Sequence, residues 1–221
     1  MDLLHTVHRP AGEGPFPTVL ALHGWGASAH DLLGLAPYWG GGEVLVVCPQ
    51  GPLAFEVGPG AMGYGWFPLS SGAPPDEDAM QAAIDGLAGF IDLCLDAYPV
   101  DPSKLALLGF SQGGVMAYAL ALRDPGRYAA LMALSSWLPR TIADDTPACP
   151  EGVSLPVFIA HGSEDPMIPV VRAQESNTCL REKGYAPVYR EYAMQHEIRA
   201  ETLRDLVGFL DDKVLGRVQI P

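Results

Sequence analysis

Long apolar runs are missing from this sequence, and with them any stretch near the roughly 18 residues that a membrane-crossing helix needs. The opening residues Met1-Asp2-Leu3-Leu4-His5-Thr6 lack the basic-then-apolar design of a secretory leader. A cytoplasmic protein with no stable membrane insertion is therefore expected. Cysteine is scarce and scattered: Cys48, Cys94, Cys149 and Cys179 form no C-x-x-C pair and have no histidines at zinc-finger spacing. They read as buried or idle thiols, and no metal is expected. Basic residues are also few. Only 13 Lys and Arg stand against 26 Asp and Glu, a net charge of −13 whose field repels phosphates and argues against nucleic acid or anionic membrane surfaces as partners. Internal repeats and interdomain linkers are absent as well.

What is present suits one buried core. With 221 residues, 48% hydrophobic and 18% charged, the chain is most economically a single domain, 1–221. Leu3 to Arg9 reads as an edge strand, and Thr18-Val19-Leu20-Ala21-Leu22 as a strand buried on both faces. A helix is expected from about His30 to Trp39, and a strand at Glu43 to Cys48. Further strands are read at Lys104 to Leu108, Tyr128 to Ser135, Leu155 to Ala160 and Val188 to Ala193. Helices fall between them at Ala79 to Tyr98, after Ser111, up to about Lys183, and from beyond Glu197 through Leu215. This alternation predicts an α/β fold, a mostly parallel sheet with helices on both faces. Residues 140–154 read as an irregular connection. Residues 50–75, rich in Gly and Pro yet carrying Trp66 and Phe67, read as a flap-like loop over an apolar pocket.

One stretch organises the rest. The apolar strand stops at Gly109, and helical spacing (Val115, Ala119, Leu120, Leu122) begins just past Ser111. A serine between them occupies a sharp strand-to-helix turn, and Gly109-x-Ser111-x-Gly113 leaves no Cβ to crowd it. The new helix points free N–H groups at any negative charge developing beside Ser111. A serine hydroxyl is a poor nucleophile at neutral pH and needs an imidazole to take its proton and a carboxylate to orient that imidazole. In a turn of this kind the acid and then the histidine follow the serine along the chain. His5, His8, His23 and His30 precede it and His161 sits at a strand end before the candidate acid, which leaves His196. Asp165 alone follows an apolar strand and precedes His196. The glycine-rich loop His23-Gly24-Trp25-Gly26 can aim a backbone N–H at the serine, so Trp25 and Gln112 are expected as the two amide donors of an oxyanion hole. Trp137 and Leu138, beyond the end of a strand, are pocket candidates.

Together these motifs resemble the phospholipase/carboxylesterase group of α/β-hydrolases, which includes the acyl-protein thioesterases. The resemblance rests on Leu22-His23-Gly24-x-Gly26, Gly109-Phe110-Ser111-Gln112-Gly113-Gly114, His161-Gly162-x-x-Asp165-Pro166-x-x-Pro169 and Met194-x-His196-Glu197. It implies Ser111 as nucleophile, Asp165 as orienting acid, His196 as base, and hydrolysis of carboxylic esters or thioesters without metal or organic cofactor. Trp25 stands where such proteins usually carry a smaller aliphatic residue, Pro68 follows Trp66-Phe67 where an aspartate is common, and Gln195 replaces a common glycine. The expected pocket is apolar, built from Trp25, Trp66, Phe67, Trp137 and Met167. It favours small-molecule esters of short to medium acyl chains. The alternatives are a thioesterase or lysophospholipase acting on long acyl groups, and a non-catalytic ligand-binding protein on the same scaffold. The apolar flap equally suits a homodimer contact.

Overall fold

The computed structural model describes residues 3–69 and 75–217. Nine strands and five α-helices follow in the order β1 His5–His8, β2 Phe16–Leu22, β3 Leu45–Pro49, β4 Leu53–Gly58, β5 Ala61–Gly65, α1 Glu77–Ala97, β6 Val100–Phe110, α2 Gln112–Arg123, β7 Ala130–Leu134, α3 Arg140–Asp145, β8 Val157–Gly162, α4 Val171–Glu182, β9 Val188–Tyr192 and α5 Ala200–Lys213. Seven strands form one sheet in the order β1-β3-β2-β6-β7-β8-β9. Only the β1–β3 pair is antiparallel. The expected α/β architecture is the one observed.

The continuous apolar runs have the cause inferred for them, burial on both faces. Along β2, Leu20 and Leu22 enter one core with α1, α2 and α4, while Val19 and Ala21 enter the other with α5. Leu105 and Leu107 of β6 alternate with Ala106 and Leu108 in the same way. At the N-terminus of α1 the Asp76 carboxylate accepts the Ala79 N–H at 3.0 Å, with Glu77 and Asp78 in the first turn complementing the helix dipole.

The sheet topology also fixes where chemistry can occur. The chain leaves β2 for β3 on one side and returns to β6 on the other, and a crevice opens where the strand order reverses. Register puts Leu22 opposite Gly109, so the loop after β2 and the turn after β6 emerge side by side. The loops after β7, β8 and β9 reach the same rim.

Three local expectations are corrected. Instead of an α-helix at 30–39 there is a 3₁₀ segment, Leu33–Gly42, containing Pro37 and non-helical at Trp39, Gly40 and Gly41. Proline removes a donor, and this segment is too irregular for an α-helical ladder. Residues 53–65 of the supposed irregular flap form an antiparallel hairpin, β4 with β5, turning at Pro59-Gly60. Residues 70–74 of that flap lie outside the described residues. The 140–154 connection begins with the short helix α3.

Candidate active site

Ser111 lies between β6 and α2 with φ 54° and ψ −120°, the backbone of the first central residue of a type II′ turn, which normally favours glycine. Its N–H donates to the Leu134 carbonyl at 2.9 Å, and its carbonyl accepts the Gly114 N–H at 2.9 Å and the Ser136 hydroxyl at 2.7 Å. The flanking glycines are required sterically. A Cβ on Gly109 would overlap the Gly113 carbonyl, and one on Gly113 would overlap the carbonyls of Leu22 and His23. The strained turn is therefore held from both sides, and α2 starts at the next residue.

Beside it runs the loop after β2. Trp25 stacks on Phe55 of β4, ring centroids 4.2 Å apart and planes 21° from parallel. The Gly26 N–H donates to Tyr64 O at 2.8 Å, and the Tyr64 N–H to Ala27 O at 2.9 Å. The hairpin thus braces this loop rather than covering a pocket as a free flap. His23 is buried beneath. Its Nε2 accepts the Gly51 N–H at 3.0 Å, so Nδ1 carries the proton and donates to Gly24 O at 2.7 Å. Burial pushes the imidazole's pKa down, against the opposing pull of the Gly24 carbonyl and Asp31, in keeping with a neutral ring. Among the described residues no group accepts the N–H of Trp25 or of Gln112.

The Gln112 side chain has a second task that the motif does not reveal. Its Oε1 accepts the Trp66 N–H at 2.9 Å and its Nε2 donates to Phe67 O at 2.7 Å, while the Trp66 indole N–H donates to His23 O at 2.9 Å. Trp66 and Phe67 are consequently 2% and 0% exposed and pack in the core beneath the loop. They do not line the cavity beside Ser111, which corrects the expectation that they form its wall. Gln112→Ala strands two buried backbone groups and is expected to destabilise the fold by about 2–6 kcal/mol, since each orphan costs about 1–3 kcal/mol. Urea denaturation measures this; an unchanged midpoint would show that the clamp contributes nothing.

Asp165 follows β8, and His196 follows β9. Asp165 Oδ1 accepts the N–H groups of Met167 and Ile168 at 2.8 and 2.9 Å, and Oδ2 lies 2.7 Å from His196 Nδ1. Burial by itself raises the pKa of the Asp165 carboxyl, but the hydrogen bonds from Ile168, His196 and Met167 outweigh it and hold the group below its usual range. His161, fully buried, has Nε2 2.8 Å from Ile168 O and 3.3 Å from Asp165 Oδ2. A carbonyl only accepts, so Nε2 carries the proton and ties the Asp165–Ile168 turn to the strand end, while buried Nδ1 has no partner among the described residues. The ring of His196 lies 4.9 Å from that of Phe110.

Ser111 and His196 face one cavity of about 410 Å³, together with Trp25, Trp137 and Met167. Leu138 is buried in the core instead. Six further wall residues were not named as such from the sequence: Gly24, Ala27, Asp31, Leu69, Phe110 and Ile168. Phe110 was readable as the neighbour of Ser111, and Ile168 from the turn carrying Asp165; Asp31 and Leu69 come from loops that carry no motif. The arrangement suits acyl transfer: a strained serine, an imidazole fixed by a carboxylate, and two free amides at the ends of adjacent strands.

Comparison with other proteins places the chain among esterases and thioesterases in sequence and fold. The chain is 29% identical over 217 residues to acyl-protein thioesterase 1 of Gibberella zeae, covering 91% of this chain and 92% of that one. It is 26% identical over 204 residues to a probable carboxylesterase of Oryza sativa subsp. japonica, covering 87% and 76%. Among solved structures, the esterase PE8 superposes with a TM-score of 0.83 at 25% identity, covering 96% of this chain and 100% of that one. A Bacillus cereus carboxylesterase shares the fold with a TM-score of 0.78 at 20% identity, covering 96% and 94%. Residues 7–214 match the phospholipase/carboxylesterase family profile, and the chain belongs to that family of α/β-hydrolases.

Proposed function

We propose that this protein is a serine carboxylesterase in which Ser111, His196 and Asp165 are the catalytic residues. The observation that carries the reading is the 2.7 Å contact of His196 Nδ1 with Asp165 Oδ2, with His196 and Ser111 opening onto one cavity. Ser111 Oγ attacks the ester carbonyl carbon while its proton passes to His196 Nε2. The oxyanion accepts the N–H groups of Trp25 and Gln112, which are preorganised and do not reorient as charge develops. His196 then protonates the departing alkoxide. A water molecule, giving a proton to His196, attacks the acyl-enzyme and releases the acid and the free serine.

The cavity volume of about 410 Å³ lies in the range of small-molecule sites, roughly 300–1,000 Å³. It supports short to medium acyl esters as substrates. No helix among the described residues is long and apolar enough to cross a membrane. Cys48, Cys149 and Cys179 stand outside any disulfide, which accords with the cytoplasmic location we assign. Turnover of p-nitrophenyl esters from acetate to palmitate tests both parts of the reading. The rate is expected to peak between butyrate and octanoate and to fall at least about tenfold by palmitate, the smallest factor an ill-fitting methylene produces in an apolar pocket. A rate climbing steadily to palmitate would favour long-chain thioester or lysophospholipid hydrolysis, and no turnover at any length would leave a binding protein.

A further inference from the structure

Trp137 and Met167 line more than the cavity at Ser111. These two residues, with Leu69 and Ile168, also line an adjoining cavity of about 500 Å³. Its far walls come from the starts of three helices: Glu77 and Met80 of α1, Arg140 of α3 and Arg172 of α4. Two of the chain's 13 basic residues therefore meet at one cavity that holds one of its 26 acidic ones. Among the lining residues alone the basic side chains outnumber the acidic ones, the reverse of the chain's balance.

Neither guanidinium is saturated. Arg140 makes no hydrogen bond among the described residues, and its Nε is 3.7 Å from Asp144, with the two side chains 93% and 70% exposed. Arg172 donates one Nη1 bond to Glu175 at 3.1 Å, leaving most of its five N–H donors open. Exposed pairs of this kind are weak and yield to a better acceptor. Much of the rest of the second cavity's wall is apolar, with Trp137, Met80, Pro139 and Pro169. A methylene spacer suits such apolar walls, but a long alkyl tail reaching the arginines would desolvate guanidinium groups without pairing them.

We propose that this second cavity is a subsite for a carboxylate carried by the substrate at the end remote from the scissile ester. Arg140 and Arg172 then set specificity through charge-assisted hydrogen bonds to that group. The proposal rests on the esterase reading and extends it: the preferred substrates are esters of short to medium length with an anionic terminus.

Paired p-nitrophenyl esters, one ending in methyl and the other in carboxylate at equal spacer length from succinate to sebacate, test it against Arg140→Gln, Arg172→Gln and the double variant. A second arm places the carboxylate on the alcohol, in octanoyl esters of hydroxybenzoates. At its best spacer the anionic ester is expected to match or exceed its neutral partner in kcat/KM. That advantage should fall about 10- to 100-fold in the double variant, the scale of hydrogen bonds to a charged group, while neutral esters change less than about twofold. Added salt should weaken only the anionic series. A charge preference in one arm assigns the anion to the acyl or the alcohol side. The subsite is overturned if neutral esters turn over normally while anionic ones are slower at every spacer in both arms, or if the arginine variants slow both series alike. Absence of turnover for every ester would instead remove the esterase reading itself.

Discussion

Ester turnover is expected to vanish when Ser111 is replaced by alanine or by glycine, and the two variants are expected to differ in stability. On the proposed mechanism, removing the hydroxyl deletes the nucleophile that His196 serves, and loss on the order of 10⁶-fold is the scale for a group acting as a unit with its base. The backbone responds separately. At φ 54° and ψ −120° a side chain is held where L-residues strain by about 1–3 kcal/mol. Alanine keeps that strain. Glycine relieves it and gives back about 0.4–1 kcal/mol through a freer unfolded chain. Ser111→Gly should therefore gain about 1 kcal/mol net, a rise of roughly 2–4 °C in Tm for a domain of this size. Residual activity in either variant near the wild-type rate would displace Ser111 from the mechanism. A Ser111→Gly protein no more stable than Ser111→Ala would show that the turn is unstrained.

Asp165→Asn is expected to lower kcat/KM by about 10⁴-fold with the fold retained, the scale on which a wrong imidazole tautomer disables such a site. The amide oxygen can still accept the N–H groups of Met167 and Ile168, as Oδ1 does now. Its NH₂ would then face His196 Nδ1, forcing the proton onto Nε2, where it cannot accept one from Ser111. The same substitution carries a signature in acid. The native carboxyl is held below its ordinary range, so it contributes stability above its unfolded value of about 3.9 and loses that contribution as pH falls through the folded value. In the pH window below about 5 the wild type should lose stability faster than Asp165→Asn, a difference read from denaturation midpoints. Parallel loss in both proteins would mean that Asp165 is not stabilised as a carboxylate. Activity within tenfold of wild type would remove it from the mechanism.

Much of this architecture was legible because both-sided burial leaves unbroken apolar runs such as Thr18 to Leu22, and because strand-to-helix turns restrict residues as tightly as Gly109-x-Ser111-x-Gly113 does. Chain order pointed to Asp165 and His196, which the fold brings into contact at the end of the sheet, because loops after parallel strands share one rim. What stayed hidden depended on three-dimensional partners. The hairpin's alternation, Leu53, Phe55, Val57, was present but masked by glycines and prolines on either side. Trp66 and Phe67 appear pocket-like by residue type. Only the Gln112 side chain, far away in sequence, shows that they face inward. At 30–39 the apolar pattern suits a helix, yet Pro37 and the glycines that follow favour tighter turns. The second cavity had no sequence signal because its arginines belong to two separate helices.

The two-stranded ribbon at 53–65 belongs to no part of the main sheet; it is tied by two backbone bonds to the turn carrying Trp25. Changes of taste and changes of speed are therefore coupled there: replacing Phe55, on which the cavity residue Trp25 stacks, would also shift the Trp25 amide proposed to hold the oxyanion. Directed evolution for new esters would do better to leave that ribbon intact and diversify Leu69 and Met167, whose side chains border the cleft without bracing its machinery.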